Sequence, residues 1–239
     1  MKTLSSIAVL LFTVVLCNAQ RGSISAYHDV LLNETSSITT NPFGLTDAQL
    51  AATIGSPYDL ESFVRGNIYV KDKLAKKDVF IRYNVLQGTI EVKDSERTQN
   101  HWPLSRQEDV FVKTILNDIF VFVPNNALAS DGGYFQILSG GETVDLYKKT
   151  DIRYVDAYEA KTSMETSRPA KFVKTDVYFA VNKRGDFIEL PSRSKKLTDV
   201  LSMNSDRVNK YIKKNKIKAD DEADLKKLFA YYNAQFKSK

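Results

Sequence analysis

Between Phe63 and Leu190 the chain consists of short apolar runs alternating with polar residues at a period of two, separated by connections of hairpin length. That pattern constrains the fold more than any other feature, because a period of two sends successive side chains to opposite faces of a strand. Residues 67–70 precede a turn at 71–73, and 78–83 run through Leu86-Gln87-Gly88 into 89–92. Residues 110–112 and 119–123 flank Asn117-Asp118, 134–138 and 143–147 flank Gly140-Gly141, and 176–181 and 187–190 bracket 182–186. Short connections in series predict an antiparallel meander, since parallel pairing needs crossovers of about a dozen residues or more. Alternation at Ile68 and Val70, and again at Val177, Phe179 and Val181, predicts one buried face and one wetter face. The run 119–123 is apolar throughout and is expected to lie centrally or to be covered on both sides.

Past Leu190 the spacing becomes helical. Val208, Tyr211 and Ile212 form a stripe over 206–214, with Asn204 or Ser205 as cap, and Leu197, Val200 and Leu201 form another just before it. Leu225, Leu228, Phe229, Tyr232 and Phe236 share one face of 221–236, with acidic residues in the first turn and Lys237 and Lys239 after the last. Upstream, a short helix is expected over 46–54, capped by Thr46, with Leu50 and Ile54 on one face and Gly55-Ser56-Pro57 as its stop. The expected class is therefore α+β: an antiparallel β-meander sheet followed by a small C-terminal helical segment.

The N-terminus carries an address. Lys2 gives a positive start, residues 7–16 are apolar except for Thr13, and Cys17-Asn18-Ala19 ends in small residues. This is the pattern of an export signal cleaved between Ala19 and Gln20. A ten-residue helix rises only about 15 Å against a hydrocarbon core of about 30 Å, so the run is too short to span a bilayer. Lipidation at Cys17 is disfavoured, because Leu16 stands where a small residue belongs. From Gln20 onward there is no cysteine, so stability must come from an apolar core, which a chain with 43% hydrophobic residues can supply. The expected organisation is a signal peptide at 1–19, a partly disordered lead segment at 20–54, an antiparallel β-rich body at 55–190 and a basic helical cap at 191–239. The body from Gln20 to Leu190 sums to −3 and the cap to +7 within a total of +5. Asn33-Glu34-Thr35 matches a glycosylation sequon, read here as a chance occurrence.

Gly55-Ser56-Pro57-Tyr58, Ile81-Arg82-Tyr83-Asn84 ahead of Gly88-Thr89-Ile90-Glu91-Val92, the stretch 171–178, Tyr211-Ile212-Lys213-Lys214-Asn215-Lys216 and the stretch 225–232 together resemble exported proteins of Bacteroidota-type bacteria. The resemblance spans most of the chain after the signal. It implies the envelope address and the order of sheet then helices, and it carries over no catalytic motif.

The chemical inventory is thin. His28 and His101 each lack a second His or Cys at ligand spacing, no Gly-x-Ser-x-Gly elbow occurs, and no glycine loop for phosphate is present. No catalytic, metal or cofactor residue is therefore nominated. Glu91, Asp94, Glu108 and Asp109 lie in or near strands, where carboxylate pairs of glycoside hydrolases are often presented, but among 29 acidic residues some pair always occurs, and a solvated strand face is the reading taken. Arg82-Tyr83-Asn84 places a guanidinium beside an aromatic ring and is a candidate recognition point, the alternative being Tyr83 packed on one face and Arg82 solvated on the other. Trp102, the single tryptophan, joins it as a candidate; an exposed indole suits glycan or protein contact, whereas one folded back caps the sheet. The basic cluster 210–218, with Tyr211 among the cations, reads as a solvated helix face, the alternative being contact with nucleic acid or an anionic membrane surface. The expected role is an exported, non-catalytic interaction or structural module of the cell envelope, periplasmic or extracellular, with an envelope protein, lipid or glycan as partner and nucleic acid set aside. A carrier of a lipid or other apolar ligand, with a pocket lined by Phe111, Phe120, Phe122, Phe135 and Phe179, is the first alternative. A hydrolase of unrecognised type is the second.

Overall fold

The computed structural model describes residues 43–124, 132–201 and 205–236; the expected export signal at 1–19, Cys17, His28, the sequon and the lead segment before residue 43 lie outside them. The first helix, α1 (Asp47–Ala52), starts where expected because Thr46 and Gln49 cap each other. The Thr46 hydroxyl accepts from the Gln49 amide at 3.2 Å, and the Gln49 side chain accepts from the Thr46 amide at 2.8 Å. The helix stops short of Ile54, which instead bridges to Lys171 and is 58% exposed.

Ten strands follow: β1 (Val64–Val70), β2 (Lys73–Asn84), β3 (Thr89–Lys93), β4 (Trp102–Pro103), β5 (Val110–Thr114), β6 (Ile119–Val123), β7 (Gly133–Ser139), β8 (Val144–Val155), β9 (Lys171–Asn182) and β10 (Phe187–Glu189). All pair antiparallel in one sheet of order β10-β9-β8-β7-β6-β5-β1-β2-β3-β4. Sequential strands are neighbours except at one step: β4 forms an edge and β5 returns to lie beside β1. The all-apolar β6 sits near the middle of this order. The β1–β2 turn is two residues, Lys71 and Asp72, both at positive φ (49° and 63°), the backbone that matches the twist of a tight hairpin.

The sheet does not lie flat. Strands β3 and β7 are separated by β2, β1, β5 and β6 along the sheet, yet their Cα atoms come within 8 Å. The segment from β7 to β3 therefore curls into an incomplete barrel. Its inner face holds Ile68, Ile81, Tyr83, Val92, Phe120 and Tyr134 in one buried cluster. Gly66 allows the bend, because a Cβ there would lie 2.7 Å from the Lys113 carbonyl oxygen and 2.7 Å from Ile81 Cδ1.

Beyond β7 the same face passes to the helices. A single 3-10 turn (Ser194–Lys196) leads into α2 (Leu197–Val200), then α3 (Ser205–Asn215) and α4 (Glu222–Gln235). Leu197, Val208, Leu225, Leu228 and Phe229 pack with Val144, Leu146, Tyr178 and Ala180 of β8 and β9. Asp221 caps α4 by accepting from the Asp224 amide at 2.9 Å. Val123, Phe135, Phe179 and Val181 form a smaller cluster on the opposite face of the sheet. Strands β8 and β9 pair over their whole twelve-residue lengths, so they extend well past the runs that the sequence pattern marks. The outer arm carries Lys148, Lys149, Asp151 and Arg153, and those charges hide the continuing alternation at Ile152 and Tyr154.

The candidate recognition cluster and the adjoining cleft

Arg82, Tyr83 and Asn84 are consecutive in β2, so the strand period separates them. Arg82 and Asn84 share the outer face, directly and diagonally opposite Glu91 of β3, while Tyr83 points into the barrel opposite Ile90. Arg82 donates to Glu91 Oε2 through Nη2 at 2.6 Å and Nε at 3.0 Å, and Asn84 Nδ2 donates to Glu91 Oε1 at 2.8 Å. Glu91 is 2% exposed, which corrects the expectation of a solvated strand face. The reason lies upstream: Tyr58 and Phe63, from the segment leading into β1, cover this patch, with ring centres 3.6 Å and 4.2 Å from the Arg82 guanidinium carbon. Lys93 Nζ lies 4.6 Å from the Phe63 ring centre and 5.8 Å from that of Phe80. The outer face of β2 and β3 thus carries a layer of cations between aromatic rings.

Glu91 accepts from three donors and carries the counter-charge of Arg82, with His101 Nε2 3.6 Å away on the exposed side. Burial raises the Tyr58 phenol, the Glu91 charge raises it further, and Arg82 opposes both. This arrangement is a closed ion-pair network: the guanidinium that the sequence nominates for recognition already has its partner. Arg82 is stacked, but by Tyr58 and Phe63 rather than by its neighbour Tyr83.

Trp102 lies in β4 opposite Val92 and packs against the barrel core, so its indole is folded back on the sheet. The five phenylalanines expected to line one pocket do not converge. Phe120 and Phe122 face the barrel interior, Phe135 and Phe179 the opposite side of the sheet, and Phe111 stacks on Tyr69 with ring centres 4.8 Å apart. Strand alternation is the cause, since Phe135 pairs with Val121, the residue between the two inward rings of β6.

A different opening is present. A cleft of about 610 Å³ lies over Tyr83, and Phe122 and Ile152 give it an apolar wall while Arg106, Lys149 and Asp151 give it charge. Arg106 reaches back to the Gln87 carbonyl at 3.0 Å and is otherwise exposed. Lys149 Nζ lies 3.5 Å from Asp151. Gln87 lines the cleft, and its side-chain oxygen is buried without a hydrogen-bond partner. Burial drives the Tyr83 phenol well above its usual range, the Asp59 and Asp151 charges push the same way, and Arg106 opposes them, so the hydroxyl stays protonated. The volume lies in the range of small-molecule sites, and the lining combines apolar contact with a few polar groups. Among the described residues, no three His, Cys, Asp or Glu side chains converge on a point suited to a metal ion. No helix among them is long and apolar enough to cross a membrane.

Of the four nominated residues, Tyr83 alone borders the cleft. Gln87, Arg106, Lys149 and Asp151 were not nominated, because Arg106 stands in the stretch without period and the other three look like turn or surface residues in sequence. No family model matches the chain, and comparison with curated proteins and with solved structures gave no match.

Proposed function

We propose that the chain is an exported, non-catalytic interaction module of a bacterial cell envelope, with the cleft over Tyr83 as the place where a partner group docks. The cleft is the observation that carries this reading: it joins an apolar wall, an unpaired buried acceptor at Gln87 and the exposed guanidinium of Arg106 in one opening. The Arg82 cluster, by contrast, is closed on itself through Glu91. Support for the address comes from the N-terminal sequence pattern and the family resemblance. A second reading, a carrier of a lipid or other apolar ligand, is favoured by Phe122 and Ile152 in the cleft wall.

The two readings part in one experiment. Native mass spectrometry of protein drawn from its own envelope should give the bare polypeptide for an interaction module, and an added lipid-sized mass, lost in Arg106→Glu, for a carrier. A photo-crosslinker at position 106 should then capture an envelope component that free protein carrying the crosslinker at Lys183, away from the cleft lining, does not capture. Turnover of ester, peptide or glycoside substrates by the purified protein would overturn both readings.

A further inference from the structure

The cap holds a second feature, independent of the cleft. Helix α3 buries Val208 and Ile212 in the core. At 100° per residue, these two set the direction of the core, and Arg207, Lys210, Lys213 and Lys214 fall on the opposite side within about 60° of its centre. All four are exposed, as are Lys216 and Lys218 just beyond the helix. Among the described residues, the side-chain cation of none of the six forms an ion pair within 4 Å. Of the acids nearby, Glu222 holds Lys148 and Lys226, Asp224 holds Lys227 and the Lys218 amide, and Asp221 caps α4, while Asp220 is exposed close to Lys218 beyond the helix. Asp206 is the acidic exception at the start of that face. Tyr211 stacks on Tyr231 of α4 at 3.9 Å and 10°, so α3 is braced and presents its cations on a fixed platform.

We propose that this face of the cap docks on the headgroups of an anionic lipid bilayer. The chemistry selects the partner. A discrete anion is held by donors converging on one point, whereas these side chains diverge from an outward helix face, which suits many laterally mobile charges on a surface. The apolar side of α3 is used up in the core, so the contact stays at headgroup level and inserts nothing. The proposed envelope address brings the chain to such a surface, and a finding of the protein in the cytosol would remove that address without touching the vesicle result below.

The test is co-sedimentation of the full chain with phosphatidylcholine vesicles that contain phosphatidylglycerol, against pure phosphatidylcholine vesicles. Each cation at an anionic surface contributes about fivefold to partitioning, so neutralising Arg207, Lys210, Lys213 and Lys214 together as glutamines should weaken binding to the anionic vesicles by about two to three orders of magnitude. Raising salt to about 1 M, where the screening length is about 3 Å, should abolish it. The triple variant Lys210→Arg, Lys213→Arg, Lys214→Arg keeps the charge and should bind as the parent does. Equal binding to both vesicle types, unchanged binding by the glutamine variant, or loss of binding in the arginine variant with its circular dichroism unchanged would each overturn the proposal. Retention by an acidic protein or a polyanionic glycan without retention by anionic vesicles would do so too.

Discussion

Strands β3 and β8 belong to one sheet but solve the burial problem differently. Positions 89–92 of β3 are all buried, the inner ones by the curl of the barrel and the outer ones by the segment ahead of β1, whereas β8 alternates, with Val144 and Leu146 under the helices. In the curled region the sheet covers itself and a polar residue, Glu91, becomes enclosed with its partners. In the capped region the helices bring aliphatic side chains to the sheet, and charged links such as Lys148 to Glu222 stay at the rim. Alternation in sequence therefore reports chemistry, and it reports burial only where nothing covers the second face.

The comparison breaks first at Glu91. Replacing it by Leu leaves the Arg82 charge and the Asn84 amide without their acceptor in a covered site, and should cost about 4 kcal/mol in denaturant unfolding. Adding Arg82→Met should recover the larger part of that loss, because an apolar pair of similar volume no longer carries an uncompensated charge. A double variant no better than the single one would show that the network contributes more than charge pairing. In the apolar core of the capped region there is no charge to rescue. Leu228→Ala, at a position with no exposure, should cost about 3 kcal/mol, and no second-site polar change should restore it.

The sequence carried the strands and helices well, and it carried the site poorly, for one physical reason. Strand alternation and the helical stripes are local, so β1 to β10 (apart from β4) and α2 to α4 were legible from spacing. The return of β5 to β1, the curl that brings β3 to β7, and the lid formed by Tyr58 and Phe63 are long-range, and each decides what is enclosed. Arg82 is stacked, but on rings 24 and 19 residues upstream in the chain rather than on the adjacent Tyr83 that the sequence pairs it with. The cleft was invisible because Gln87, Arg106 and Ile152 meet only after the curl.

A smaller effect tests how the helices are fastened to the sheet within the capped region. Asn233 of α4 accepts from the Thr143 and Val144 amides at 3.0 Å and 3.1 Å and donates to the Val144 carbonyl at 2.8 Å. Removing it as Asn233→Ala strands those backbone groups at the β7–β8 turn and should cost about 2 kcal/mol. Hydrogen exchange should quicken at residues 143–144 while β3 remains protected. A Cβ at Gly141 would collide with the same Asn233 side chain, so Gly141→Ala should loosen the same contact.

The weakest expected effect is in pH, where the two regions should pull in opposite directions. Burial raises Asp59 beside the barrel, with Lys148 and Lys174 opposing and Asp176 and Asp118 adding to the rise. The folded state then holds its proton more tightly than the unfolded chain, so this group favours folding below its unfolded value and loses that contribution as pH climbs through the folded one. Glu222 in the cap behaves oppositely: burial works against its charge, but hydrogen bonds from Lys226 and Lys148 outweigh it and lower the group. Its contribution is present above the unfolded value and is lost as pH falls through the folded one. Asp59→Asn should therefore gain stability relative to the parent as pH rises above about 4, and Glu222→Gln should lose stability relative to the parent as pH rises from the acid side up to about 4, the ordinary carboxylate value. Parallel slopes in the two variants, measured by denaturant unfolding across both ranges, would mean that the capped and curled regions do not differ in how they treat charge.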